Sequence, residues 1–172
     1  MSPLSQVGAS AATRGQIDPR APQLAAGLTS LVLAAVLLTA PGPWAVALLG
    51  IQAVLFGIGA TLGVTRTPHA WLFRRLVRPR LRAPHHLEDA TPPQFAQAVG
   101  LGFAVVGLIG FIAGADIVGL VATGLALVAA LLNAVFGFCL GCEIYLLAVR
   151  ARTRTRSAVG LTPPVHRTST TT

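Results

Sequence analysis

The sequence predicts an all-α membrane protein: four transmembrane helices forming two parallel-repeat hairpins, with a short amphipathic interfacial helix in the central loop. Three observations carry this. The chain has 172 residues, 53% hydrophobic and 10% charged, with a mean hydropathy of +0.71, and a soluble domain of that length cannot cover so apolar a surface. Four apolar runs are each long enough for a ~30 Å hydrocarbon core. All thirteen basic residues are arginines, confined to the N-terminal tail, the central loop and the C-terminal tail. The positive-inside rule then puts both termini and that loop in the cytoplasm of a multi-pass protein. The same distribution argues against nucleic acid, because the arginines flank apolar segments and are not interleaved with aromatics.

Residues 1–16 are small and polar, and read as a disordered tail without the apolar core of a cleavable signal peptide. Residues 17–149 read as the membrane domain. Asp18-Pro19 is a helix start, and the first span covers about 22–40. Pro41-Gly42-Pro43 is a tight turn, with Trp44 at the membrane interface. The second span covers about 44–65, and its Gly59 and Gly63 form a small-x-x-x-small pair suited to helix packing.

Residues 66–91 form a basic loop containing Arg66, Arg74, Arg75, Arg78, Arg80 and Arg82. Thr67-Pro68 is another cap followed by proline, and Pro79 is a stop. Plotted at about 100° per residue, Leu72, Phe73, Leu76 and Val77 share one face, with Arg74, Arg75, Arg78 and Trp71 opposite. That pattern predicts a surface helix with its apolar face toward acyl chains and its arginines toward lipid phosphates. Thr91-Pro92-Pro93-Gln94 resembles a capping box, opening a third span at about 93–114 that contains Gly110 and Gly114. Asp116 marks a short turn. The fourth span, about 117–140, is expected to continue as one helix to 149, and residues 150–172 to be a disordered basic tail.

Asp18, Pro22, Gln23 and Ala25 recur as Asp89, Pro93, Gln94 and Ala96, and Gln52-Ala53-Val54 resembles Asn133-Ala134-Val135. Each half is therefore an acidic-proline start followed by a hairpin, related by an axis along the membrane normal. The second half alone carries cysteines, Cys139 and Cys142, in NAVFGFCLGCEIY. On a continuous helix these share a face with Glu143, while Gly137 and Gly141 turn to another face open to packing, a possible homo-oligomer contact. Counting ~1.5 Å per residue from Ile117 brings Cys139 to the inner bilayer boundary.

The IDPR start, RRLVRPRL, PPQFAQAVG and NAVFGFCLGCEIYLL resemble domain-of-unknown-function family 4395, small bacterial membrane proteins. The resemblance covers about residues 17–149, and FCLGCE is its most specific element. It implies no established activity and leaves any cofactor unknown. It does imply an association with thioredoxin-like and sulfurtransferase proteins, and hence a redox or sulfur reading.

Three functions compete. Cys139 and Cys142, with Glu143 in support, suit a reversible dithiol or a persulfide carrier, since residues three apart on a helix meet the ~4.4–6.8 Å Cα separation of a disulfide. Placement near a helix C-terminus counts against this, because the dipole there opposes thiolate. Alternatively, the chain is a membrane scaffold or partner subunit in which the thiols pack as small hydrophobes. A third possibility is transport or metal binding. A metal site would combine Cys139, Cys142 and Glu143 with His69, His85 or His86, but a single C-x-x-C is half a zinc motif. Asn133 is expected to hydrogen-bond across helices. No charge lies within the first three spans, so ion-coupled transport lacks its usual residues. No Ser-His-Asp set, phosphate loop or carboxylate pair is present.

Overall fold

A computed structural model describes residues 16–81 and 88–158. The expectations for residues 1–15 and 159–172, and those for Arg82, His85 and His86, lie outside the described residues. Four long apolar helices form the body: α1 (Arg20–Thr39), α2 (Pro43–Leu62), α4 (Thr91–Ile112) and α5 (Asp116–Phe136). All four are long and apolar enough to cross a membrane. Between α2 and α4 lies a shorter stretch with α3 (Pro68–Leu72), a π turn (Phe73–Val77) and a 3-10 turn (Arg78–Arg80). A sixth helix, α6 (Leu140–Ala158), follows α5.

The four spans close into a ring. α1 packs on α2 and α5, and α4 packs on α2, α5 and α6. Lipid supplies little hydrophobic drive between helices, so contact depends on small residues that let backbones approach. The glycines of α4 provide this. Gly100 leaves room for the Phe56 ring, and Gly107 for the Leu49 side chain, both on α2. A Cβ on Gly110 would come within 2.6 Å of the Gly119 backbone nitrogen on α5. The core is correspondingly light, with Leu33, Val36, Ala45, Leu49 and Ala104 almost fully buried. Leu38, Ile51, Val54, Ile109, Ile112 and Ile117 are exposed in the isolated chain, an apolar belt suited to a lipid bilayer.

The two halves match in detail. Asp18 Oδ1 accepts the Arg20 N–H at 3.0 Å, and Asp89 Oδ1 accepts the Thr91 N–H at 2.8 Å. Just before these starts, β1 (Gln16–Ile17) pairs antiparallel with β2 (Glu88–Asp89), with Ile17 opposite Glu88. Ile17 and Glu88 precede Asp18 and Asp89 by one residue each, so the ribbon joins equivalent points of the two halves. Gln94 Nε2 donates to the Ala60 carbonyl of α2 at 2.8 Å. Its counterpart Gln23 faces Gly137 at the end of α5.

Some expectations are corrected. The expected Thr91 capping box is instead an Asp89 cap, because Gln94 reaches across to α2 rather than back to Thr91. Gln52 and Asn133 are not equivalent: Gln52 is buried in mid-span, donating to Thr29 Oγ1 at 3.4 Å, whereas Asn133 sits at a helix end. The surface stretch is helical, but Phe73 is buried, at 3% exposure, against the bundle instead of facing acyl chains. The π turn that starts at Phe73 departs from α-helical spacing and so displaces the expected face. Trp71 and Leu76 are exposed, and Arg75 lies over the Trp71 ring at 5.7 Å. The chain is helical through Ala158, beyond the expected start of a disordered tail at 150.

The largest correction concerns the fourth apolar run, which is not one helix to 149. α5 stops at Phe136 and Gly137 adopts φ +67°, a left-handed turn that closes a helix readily only at glycine. Each glycine pair spaced for helix packing divides its labour inside this chain. Gly59, Gly110 and Gly141 pack against Gln97, Gly119 and Ala96, while Gly63, Gly114 and Gly137 carry positive φ at a helix end.

Candidate functional site: a dithiol at a helix N-terminus

Because α5 ends at Gly137, the dithiol begins a new helix. The Cys139 carbonyl accepts the Glu143 N–H at 3.0 Å, the first helical bond of this segment. The Cys139 sulfur accepts the Cys142 N–H at 3.4 Å. Cys139 therefore acts as the N-cap of α6, a position ordinarily held by Ser, Thr, Asp or Asn. The expectation that the pair sits near a helix C-terminus is overturned. Unpaired N–H groups and the positive end of the helix dipole now face the sulfur and favour thiolate.

Both cysteines are free and half-buried. The Cys142 thiol hydrogen-bonds the Cys139 sulfur. This bond, with further help from the Cys142 and Gly141 backbone N–H groups, lowers the Cys139 pKa to about 7 against the opposing effects of burial and Glu143. The same bond pushes Cys142 far up, reinforced by burial and by the negative charges of Cys139, Glu143 and Glu88. The two thiols are thus unequal: Cys139 ionises near neutrality and Cys142 holds its proton.

Gly141 fixes this turn against α4. A Cβ there would lie 2.6 Å from the Ala96 Cβ and 2.7 Å from its Cα, so α6 sits directly on the α4 backbone. One turn further along, Tyr145 meets Phe95 with ring centroids 5.7 Å apart. Beside the thiols is a cavity of about 510 Å³, bordered by Gln23, Glu88, Asp89, Asn133, Cys139, Cys142 and Glu143. Asp89 accepts both the N–H and the hydroxyl of Thr91, which holds its carboxylate below the usual range. The cavity therefore has an acidic side.

Residues 17–150 match the family described as Domain of unknown function (DUF4395). The chain belongs to that family. The DUF4395 region contains both hairpins, the dithiol and the first half of α6. No curated protein and no solved structure matches the chain.

Cys139, Cys142 and Glu143 fall in the cap and first turn of α6. They do not form a metal cluster, and among the described residues no group of three or more His, Cys, Asp or Glu has that arrangement. Both thiols are free, one hydrogen-bonding the other, and Glu143 is exposed. His69 lies on α3 in the other half. Asn133 makes no side-chain hydrogen bond among the described residues, so its expected cross-helix bond is replaced by a place on the cavity wall. Gln23 is a site residue that sequence reasoning missed, since it reaches Gly137 and the cavity wall from the other hairpin. Its only signal was the repeat, in which Gln94 holds the end of α2.

Proposed function

We propose that this is a dithiol protein of the bacterial cell membrane, performing thiol–disulfide exchange or sulfur transfer at the cytoplasmic face with a thioredoxin-like or sulfurtransferase partner. The observation that carries the proposal is the capping of α6 by the Cys139 sulfur. Cys139 is the nucleophile and Cys142 the resolving thiol. The Cys139 thiolate attacks one sulfur of a partner disulfide, forming a mixed disulfide and expelling the other partner sulfur, which takes a proton from water. Cys142 then gives up its proton and attacks the Cys139 sulfur. That closes the intramolecular disulfide and releases the second partner thiol. Two electrons pass from the chain to the partner. With a persulfide partner, the same thiolate takes the outer sulfur and the partner leaves as a thiol. Glu143 is the nearest carboxylate in sequence and disfavours charge on both sulfurs.

The cytoplasmic placement is supported by the arginine distribution. A membrane-surface role for Trp71, Leu72, Arg74, Arg75, Leu76, Val77 and Arg78 is supported by the exposure of Trp71 and Leu76 beside the arginines.

The test uses the purified full-length protein in detergent, equilibrated in glutathione buffers and read by mass after thiol trapping. Wild type should interconvert reversibly between dithiol and Cys139–Cys142 disulfide, and Cys142→Ser should accumulate a mixed disulfide at Cys139. Thiols that stay reduced across the whole range would reject the exchange reading and leave a scaffold with packing cysteines.

A further inference from the structure

The other half of the molecule contains a second cavity, of about 200 Å³, in the place equivalent to the dithiol cavity. Asp18, Ala21 and Pro22 border it where Asp89, Pro92 and Pro93 border the first. Its outer wall is α3 and the π turn, where the dithiol cavity has α6. The frame is repeated, including its aspartate, but the remaining charges on the rim are of opposite sign. Arg74 and Arg78 stand on this rim, one helical turn apart, whereas Glu88 and Glu143 stand on the other.

The donors here are only partly used. Arg74 Nη1 donates to the Thr65 carbonyl at 3.2 Å, which anchors the guanidinium and leaves four of its five N–H groups. The Arg78 guanidinium makes no hydrogen bond or ion pair among the described residues, and neither does the side-chain amide of Gln97. Gln97 is half-buried and is admitted beside α2 by Gly59, which has no side chain to block it. Phe73, Ala21 and Ala25 give the same cavity an apolar part of its lining. A guanidinium presents paired N–H groups that match the oxygens of a phosphate, and an amide N–H adds a neutral donor. The size suits a small group, well below the ~300–1,000 Å³ of a drug-sized site.

We propose that this cavity binds a phosphate group carried on a short organic stem, with Arg74, Arg78 and Gln97 as donors and Phe73 against the stem. The group belongs either to a phospholipid headgroup or to a soluble phosphate ester. The proposal is independent of the dithiol chemistry.

The experiment compares the full-length wild type with Arg74→Gln/Arg78→Gln and with Gln97→Leu, by native mass spectrometry and thermal shift. One arm adds phosphatidylglycerol, with a glucosyl diacylglycerol lacking phosphate as control. The other adds glycerol 3-phosphate. One saturable adduct with phosphatidylglycerol alone supports the proposal with a lipid source, and one with glycerol phosphate alone supports it with a soluble source. Each variant should bind about tenfold or more weakly. The Gln97→Leu variant keeps every charge, so it separates a built site from general attraction to arginines, and it decides the matter if the double variant misfolds. Absence of binding in both arms, or wild-type affinity in Gln97→Leu, overturns the proposal.

Discussion

Cys139 occupies in α6 the position that Thr67 occupies in α3. Thr67 Oγ1 accepts the Ala70 N–H at 3.3 Å, and the Cys139 sulfur accepts the Cys142 N–H at 3.4 Å, each three residues along. Each follows a positive-φ glycine that ends a span, Gly63 in one half and Gly137 in the other. The cap is therefore a feature of the repeat, and sulfur is the feature of one copy.

The cap and the chemistry can be separated. Serine is a good N-cap, so Cys139→Ser should keep the thermal stability of wild type while losing all thiol exchange. Cys139→Ala should lose the cap as well, at about 0.5–2 kcal/mol. Thermal unfolding in detergent, run beside thiol trapping, checks both. Equal stability of the two variants would mean the sulfur does not cap.

Alkylation should be pH-dependent at one cysteine only. The Cys139 pKa is lowered to about 7, so its thiolate is present above that pH and is lost below it. Its rate of reaction with iodoacetamide should rise between about pH 5 and about pH 9 with a midpoint near 7, while Cys142 stays slow throughout. The linked stability has the same sign: it is complete above the ordinary thiol pKa and disappears as pH falls through about 7. Because Glu143 opposes the charge on Cys139, Glu143→Gln should move the midpoint lower.

Gly141→Ala should push α6 off α4, since the new methyl meets both the side chain and the backbone of Ala96. A loss of about 1–3 kcal/mol is expected. Adding Ala96→Gly should recover only part of it, because the new methyl still presses on the backbone at residue 96. A double-mutant cycle on unfolding temperature measures the coupling, and strict additivity would show that the two residues do not touch.

Phe73→Ala should cost about 3 kcal/mol or more, as truncation of a buried ring does. Leu76→Ala, exposed on the same stretch, should stay within about 0.5 kcal/mol. Equal effects would place Phe73 in lipid, as its spacing alone suggested.

The spans were legible because an apolar run of about twenty residues between prolines and acidic starts has few other readings in water. The break at Gly137 was not. A glycine inside an apolar run, four residues from another, reads as a packing face, and only the fold shows that one member of each pair ends a helix. Yet a sign was present. Gly137, then Cys139, then Glu143 in the first turn of α6 parallels the cap-and-start pattern after Gly63, with sulfur in the place of hydroxyl. Phe73 was misread because α-helical spacing does not hold across a π turn. Gln23 was missed because a side chain arriving from another hairpin leaves no local pattern.

The ring of helices has a historical consequence. α1 packs more extensively on α5 than on its own hairpin partner α2, and α2 more on α4 than on α1. A lone hairpin of this kind leaves its widest face bare, so the simplest ancestor is two identical hairpins held as a homodimer. Such a dimer would carry two dithiols or none, and two arginine cavities or none. Joining the two hairpins in one chain removes that constraint. One half can then carry a thiol pair and the other its guanidiniums, so that a symmetric frame holds two chemically different sites.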